Sequence, residues 1–137
     1  MPNKSLRILI ADEQHFQRMR IERLFNQLDY YRVAPVQDLV ELLMLVEYAS
    51  VPFDLVVINA SLAGDALDLP GFFLDNPQVR HALIYGVEPG QLPSMATCER
   101  HHVHISPTAL PDLPCIQRLM AAVDPRRPFV GTVISVR

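Results

Sequence analysis

The sequence has few of the features that mark exported or membrane proteins. Its only cysteines, Cys98 and Cys115, do not form a CxxC pair, so we expect free thiols rather than a disulfide. The N-terminal apolar run is short and is closed by Asp12, so it lacks the long apolar region of a signal peptide. No later stretch is long enough to span a bilayer. These absences predict a cytoplasmic protein with no membrane partner.

The chain also lacks an excess of positive charge and the common catalytic motifs. Its formal net charge is -3, which gives no electrostatic reason to bind nucleic acid or an anionic surface. It contains no GxSxG elbow and no glycine-rich phosphate loop, so hydrolase and nucleotide-binding functions have no support from motifs. With 137 residues, 50% hydrophobic and 20% charged, it has the size and composition of one globular domain.

Apolar runs and amphipathic segments alternate along residues 1–124. Short apolar runs predict strands at residues 6–11, 31–36, 55–60, 81–87 and 103–105. Helical spacing of apolar residues predicts helices at 14–28, 39–48 with Asp38 as its cap, and 113–123, and a fourth helix is expected at 91–100, after Pro89 and Gly90. Residues 61–80 are broken by prolines and glycines, which predicts a short or distorted third helix. The alternation predicts an α/β fold with a doubly wound, five-stranded parallel sheet and helices on both faces.

Residues 125–137 form a C-terminal tail outside this pattern. Pro125 and Pro128 end the last helix, and the segment FVGTVISVR that follows has β character. Three uses of the tail stay open: an extra edge strand, an arm exchanged in a dimer, or the start of a linker into a longer regulator.

Polar residues follow the predicted strands at the edge where ligands bind in such sheets. Asp12 and Glu13 follow the first strand, and Asn59 ends the third. Gly86 lies at the end of the fourth strand, and Ser106 follows the fifth. Because the carboxyl ends of parallel strands share one edge, these positions form the candidate site.

The segments LRILIADEQ, FDLVVIN and HISP resemble the receiver domain of two-component response regulators, over about residues 5–124. The resemblance implies a flavodoxin-like fold and a role in phosphorelay signal transduction. In that family an acidic pair binds a divalent metal and an aspartate takes a phosphoryl group from a histidine kinase, while a Ser or Thr and a lysine respond to it. By position, Asp12 and Glu13 match the acidic pair, Asn59 the phosphoacceptor, Gly86 the hydroxyl residue and Ser106 the lysine.

The residues at these positions differ from the family pattern in ways that remove phosphotransfer. A neutral carboxamide is a very poor nucleophile, so Asn59 should not form an acyl phosphate. Gly86 has no hydroxyl, and Ser106 lacks the charge and reach of a lysine. Asp12 and Glu13, with the carbonyl of Asn59, predict weak Mg²⁺ binding at best, and no cofactor is required. We therefore predict a pseudo-receiver that is not an enzyme and serves as a phosphorylation-independent protein-protein interaction module.

The resemblance also implies a partner surface. In phosphorylatable relatives the fourth helix, fifth strand and fifth helix form a face that binds another receiver or an output partner. Here that face comprises the predicted elements 91–100, 103–105 and the outward side of 113–123. We expect the chain to bind another signalling protein, or itself as a homodimer, through this face, and an exposed apolar patch there would support the idea.

Two other functions stay open on the sequence. A true receiver could use an unorthodox phosphoacceptor at Ser61, Asp65 or Asp68, although loop polar groups and a helix cap are the simpler interpretation of these residues. A small-molecule sensor could instead use the altered strand ends to bind a ligand.

Histidines cluster around the fifth predicted strand. His101, His102 and His104 lie a few residues after Cys98, and His102 and His104 share one face of the strand. A transition-metal site is conceivable, but the spacing completes no recognisable ligand set. We expect these to be exposed surface histidines.

Overall fold

The computed structural model describes residues 5–64, 66–87, 102–106 and 110–124. The strands are β1 (Ile8–Ala11), β2 (Val33–Val36), β3 (Leu55–Asn59), β4 (Ala82–Tyr85) and β5 (Val103–Ile105). The helices are α1 (His15–Gln27), α2 (Leu39–Glu47), α3 (Leu69–Leu74) and α4 (Leu113–Val123), with a short 3₁₀ helix at Ala60–Leu62. The predicted helix at 91–100 and the tail at 125–137 lie outside the described residues.

The five strands form one sheet in the order β2-β1-β3-β4-β5, and every neighbouring pair is parallel. The predicted α/β fold with a five-stranded parallel sheet is therefore confirmed. β3 lies at the centre, and its residues Leu55 to Ile58 are all buried, as its unbroken apolar run indicated. The chain order reverses between β1 and β3, and the carboxyl ends of strands at such a point are where ligands bind in open α/β sheets.

Successive residues of the central strands enter two separate hydrophobic clusters. Val56 and Ile58 belong to one cluster, which also contains Leu42 of α2 and Phe73 of α3. The other cluster combines buried residues of the strands with those of α1 and α4: Ile8, Ile10, Leu55, Val57, Ile21, Phe25, Ile116 and Met120. This alternation follows from the two-residue repeat of a β-strand and fixes which strand-end side chains can meet.

The helices begin and end close to the positions predicted from the sequence. α4 has the predicted bounds, and Asp38 caps α2 by accepting a hydrogen bond from the backbone N–H of Glu41 at 2.8 Å. α3 is only six residues long, as the prolines and glycines around it predicted. Among the described residues, no helix is both long and apolar enough to cross a membrane.

Candidate functional site

The candidate site centres on the carboxylate of Asp12, immediately after β1. Asp12 is only 1% exposed. Its Oδ1 accepts a hydrogen bond from the backbone N–H of Gln14 at 2.8 Å. Its Oδ2 accepts two more, from Asn59 Nδ2 at 3.0 Å and from the hydroxyl of Tyr85 at 2.5 Å. Both oxygens of this buried carboxylate are thus held by donors from within the chain, as burial of a charged group requires.

The side-chain amide of Asn59 is oriented by two hydrogen bonds, accepting in one and donating in the other. Its Oδ1 accepts from the backbone N–H of Ser61 at 2.9 Å, which caps the 3₁₀ helix, while its Nδ2 donates to Asp12. An aspartate at this position could keep the first bond but not the second, because a carboxylate has no donor. The amide of Asn59 is therefore matched to the neighbouring carboxylate.

Tyr85 completes the site and was not among the residues predicted from the sequence. It is the last residue of β4, is paired with Asn59 across the sheet, and is fully buried. Burial raises the pKa of its hydroxyl, and the hydrogen bond to Asp12 raises it further, so the phenol stays protonated and donates. A tyrosine in an otherwise apolar buried strand needs a partner for its hydroxyl, and this is the signal that could have singled it out.

Gly86 meets two constraints that the sequence could not reveal. Its backbone has a φ of +73°, in the left-handed region that disfavours any side chain. In addition, a Cβ at this position would lie 3.0 Å from Oδ1 of Asn59. A hydroxyl residue therefore cannot be placed here without moving the backbone or Asn59.

Glu13 and Ser106 are the other two site residues predicted from the sequence. Glu13 is exposed to solvent. The backbone of Ser106 is hydrogen-bonded to β4 and to the residues that follow it. Its N–H donates to the carbonyl of Ile84, and its carbonyl accepts from the backbone N–H of Val87. The compact part of the site is therefore Asp12, Asn59, Tyr85 and the backbone at Gly86.

Arg18 of α1 adds a positive charge beside the end of β1. Nη1 of Arg18 donates to the backbone carbonyl of Asp12 at 2.6 Å, and Nη2 lies 3.4 Å from Nδ1 of His15. This contact links the first turn of α1 to the strand end. It was not predicted, because helical spacing places Arg18 on a polar face without showing what that face contacts.

These residues fit a magnesium ion poorly. Mg²⁺ requires nearly octahedral oxygen coordination, whereas three internal donors already occupy the two oxygens of Asp12. Asn59 presents its amino group, not its carbonyl, to that carboxylate. In the part of the chain that the structure describes, no three His, Cys, Asp or Glu side chains are arranged to hold a metal.

Of the other candidate phosphoacceptors, the structure describes Ser61 and Asp68, which both follow β3. Ser61 is exposed in the 3₁₀ helix, and its backbone N–H is bound by Asn59. Asp68 is exposed and precedes α3, although its side chain makes no capping hydrogen bond. Asp65 lies outside the described residues.

The expectation of exposed histidines is wrong for His102 and His104, which are half-buried. His81 joins them because β4 and β5 are parallel neighbours, and its ring centroid lies 6.3 Å from that of His102 and 6.5 Å from that of His104. Nε2 of His102 is 3.0 Å from the carbonyl oxygen of Phe73. Burial, followed by the neighbouring imidazoles, lowers the pKa of both His81 and His104.

The cysteine and histidine predictions extend into segments that are not described. Cys115 is a free, half-buried thiol, as predicted, and burial raises its pKa. Cys98 and His101 lie outside the described residues.

No protein-family model matches the chain, and searches of curated proteins and of solved structures also return no match.

Proposed function

We propose that the chain is a degenerate receiver domain of two-component signal transduction, a non-enzymatic interaction module that works without phosphorylation in the cytoplasm. The proposal includes a flavodoxin-like, doubly wound fold with helices on both sheet faces. The strand order β2-β1-β3-β4-β5 supports this, because it is the order of that class of fold. The two clusters, one joined by α2 and α3 and the other by α1 and α4, support it as well.

The observation that carries the proposal is the hydrogen-bond network at Asp12. The positions that match the acidic pair and the phosphoacceptor of receivers come within 3.0 Å of each other, as Asp12 and Asn59. The contact joins a carboxylate to a neutral amide, and the hydroxyl of Tyr85 holds the same oxygen. The network holds the strand ends with donors from the chain itself, which suits a module with a constant binding surface.

The proposed partner surface is the one expected from the resemblance, formed by residues 91–100, β5 and α4. The outward side of α4 is exposed and includes Gln117, Arg118, Ala121 and Ala122, which are polar or small. A partner bound there would meet a mixed polar surface on this helix. Residues 91–100, which would supply the rest of the face, lie outside the described part of the chain.

Intact mass spectrometry after treatment with acetyl phosphate and Mg²⁺ tests the proposed function. The natural chain should keep its mass, because Asn59 offers no carboxylate nucleophile. An Asn59→Asp variant treated in parallel shows whether the remaining pocket still supports phosphotransfer. Addition of a phosphoryl group to the natural chain would contradict the proposal and favour an unorthodox acceptor such as Ser61 or Asp68.

A further inference from the structure

One side of α2 carries a continuous apolar surface. Val40, Met44, Leu45 and Tyr48, which we call the α2 surface, are between 40% and 74% exposed. Val40, Met44 and Tyr48 follow one another at four-residue spacing, so they form a stripe along the helix. The opposite side of the helix is already used, since its Leu42 and Val46 are buried in the core. A contiguous apolar patch of this kind indicates a docking site rather than a solvated helix face.

The charges around the α2 surface define what can bind there. The shallow groove over this surface is bordered by Asp38 and Glu41, and Glu47 lies at the end of the helix. Residues 33–79 contain no Lys, Arg or His. Among the described residues, Nε of Arg80 lies 3.7 Å from Oδ1 of Asp54, and Arg7 donates to the backbone carbonyl of Val51, three residues after Tyr48. An occupant should therefore combine apolar and basic side chains, and a second copy of the same acidic surface would be repelled.

The C-terminal tail has this composition. The sequence PRRPFVGTVISVR at 125–137 contains Arg126, Arg127 and Arg137 and no acidic residue. Its apolar side chains are similar in size to those exposed on the α2 surface: Phe129, Val130, Val133, Ile134 and Val136. The acidic helix and the basic tail are thus complementary in both charge and hydrophobicity.

The tail also begins within reach of α2. Asp124, the last described residue, accepts a hydrogen bond from the hydroxyl of Tyr30 at 2.8 Å. Tyr30 precedes β2, and β2 leads directly into α2. A fully extended segment of thirteen residues spans about 43 Å, which is longer than the path around edge strand β2 to α2.

We propose that residues 126–137 dock on the α2 surface of the same chain. The docked tail covers the exposed apolar side chains and brings its arginines next to Asp38, Glu41 and Glu47. This inference stands on the surface of α2 and on the composition of the tail, so it does not depend on the proposed receiver function.

Disulfide trapping in the full chain tests the proposal. In a Cys98→Ser, Cys115→Ser background, Tyr48→Cys is combined with Val133→Cys and oxidised mildly. Gln117→Cys with Val133→Cys is the matched control, because Gln117 is exposed on α4. A third pair, Ala34→Cys with Val133→Cys, reports on addition of the tail to the exposed edge strand β2. Circular dichroism confirms that each variant is folded.

The proposal predicts an intrachain disulfide that forms at least tenfold faster for the Tyr48 pair than for either other pair. Equal rates for the three pairs, a fastest rate at Ala34, or a predominantly interchain product at Tyr48 would overturn it. A second measurement keeps the natural cysteines: reversing the tail charge with Arg126→Glu and Arg127→Glu should accelerate amide hydrogen exchange in α2. Unchanged exchange would also count against docking.

Discussion

Replacing Asn59 by aspartate should destabilise the chain strongly at neutral pH. The substitution retains the acceptor for Ser61 but turns the donor that lies 3.0 Å from Oδ2 of Asp12 into a second carboxylate oxygen. Two unit charges at that separation repel by about 5 kcal/mol at an effective dielectric constant near 20. Proton uptake relieves part of this, so we expect a loss of about 3 kcal/mol at pH 7, a large share of a small domain's stability.

The loss should depend on pH in a defined direction. Mutual repulsion raises the apparent pKa of the carboxyl pair in the folded state above the unfolded value of about 3.9. The folded state then binds more protons than the unfolded state, so the penalty is full above the raised pKa and fades as the pH falls toward about 4. Near that pH, a proton shared between the two carboxyls restores a hydrogen bond.

Urea denaturation of the Asn59→Asp variant between about pH 4 and pH 7 measures this effect, with the natural chain alongside. Asn59→Ala is the control, because it removes the hydrogen bonds without adding charge. Its loss should be about 1–3 kcal/mol, which is smaller at pH 7 than a loss that includes charge repulsion between two carboxylates. If the free energy of unfolding of Asn59→Asp changes with pH in the same way as that of the natural chain, positions 12 and 59 are not in close contact.

Three further substitutions test the surroundings of this contact. Tyr85→Phe should lower the free energy of unfolding by about 1–3 kcal/mol, measured by urea denaturation, because it removes one of the two hydrogen bonds that Oδ2 of buried Asp12 accepts. Gly86→Ala should cost about 1–3 kcal/mol in the same assay, and more than Gly64→Ala, which has a similar backbone but open space where its Cβ would lie. Equal losses for the two glycines would mean that Asn59 does not crowd position 86. The stability of the natural chain should fall as the pH drops below about 6.5, because burial lowers the pKa of His104 and the unfolded state then binds more protons than the folded state. Thermal melts at several pH values measure this dependence. His104→Leu should weaken it.

The architecture could be predicted from the sequence because the strands and helices have clear periodicity. The run at Leu55 to Ile58 is apolar throughout and forms the central strand, and the apolar spacing of residues 113–123 gave the bounds of α4. Parallel topology also placed Asp12 and Asn59 at one edge. These predictions depend on patterns that repeat over several residues.

The parts that were not predicted depend on single conformations or on strand register. The direction of the Tyr85 side chain, and therefore its bond to Asp12, follows from which face of β4 turns toward α1 and α4. The positive φ of Gly86 is a local backbone state that the residue type permits but does not require. His81 meets His104 only because Leu83 is opposite His104 in the β4–β5 register.

Asn59 and Tyr85 both donate hydrogen bonds to Asp12, the carboxylate that matches the metal-binding acidic pair of receivers. The most direct test follows the side-chain amide resonances of Asn59 by NMR during a titration with Mg²⁺ to millimolar concentration, in the natural chain and in Tyr85→Phe. We expect no saturable shift in the natural chain, because the amide remains bonded to Asp12. A saturable movement of the Asn59 amide resonances at micromolar Mg²⁺ would show that the ion displaces the amide from Asp12, and that these donors do not keep the ion out.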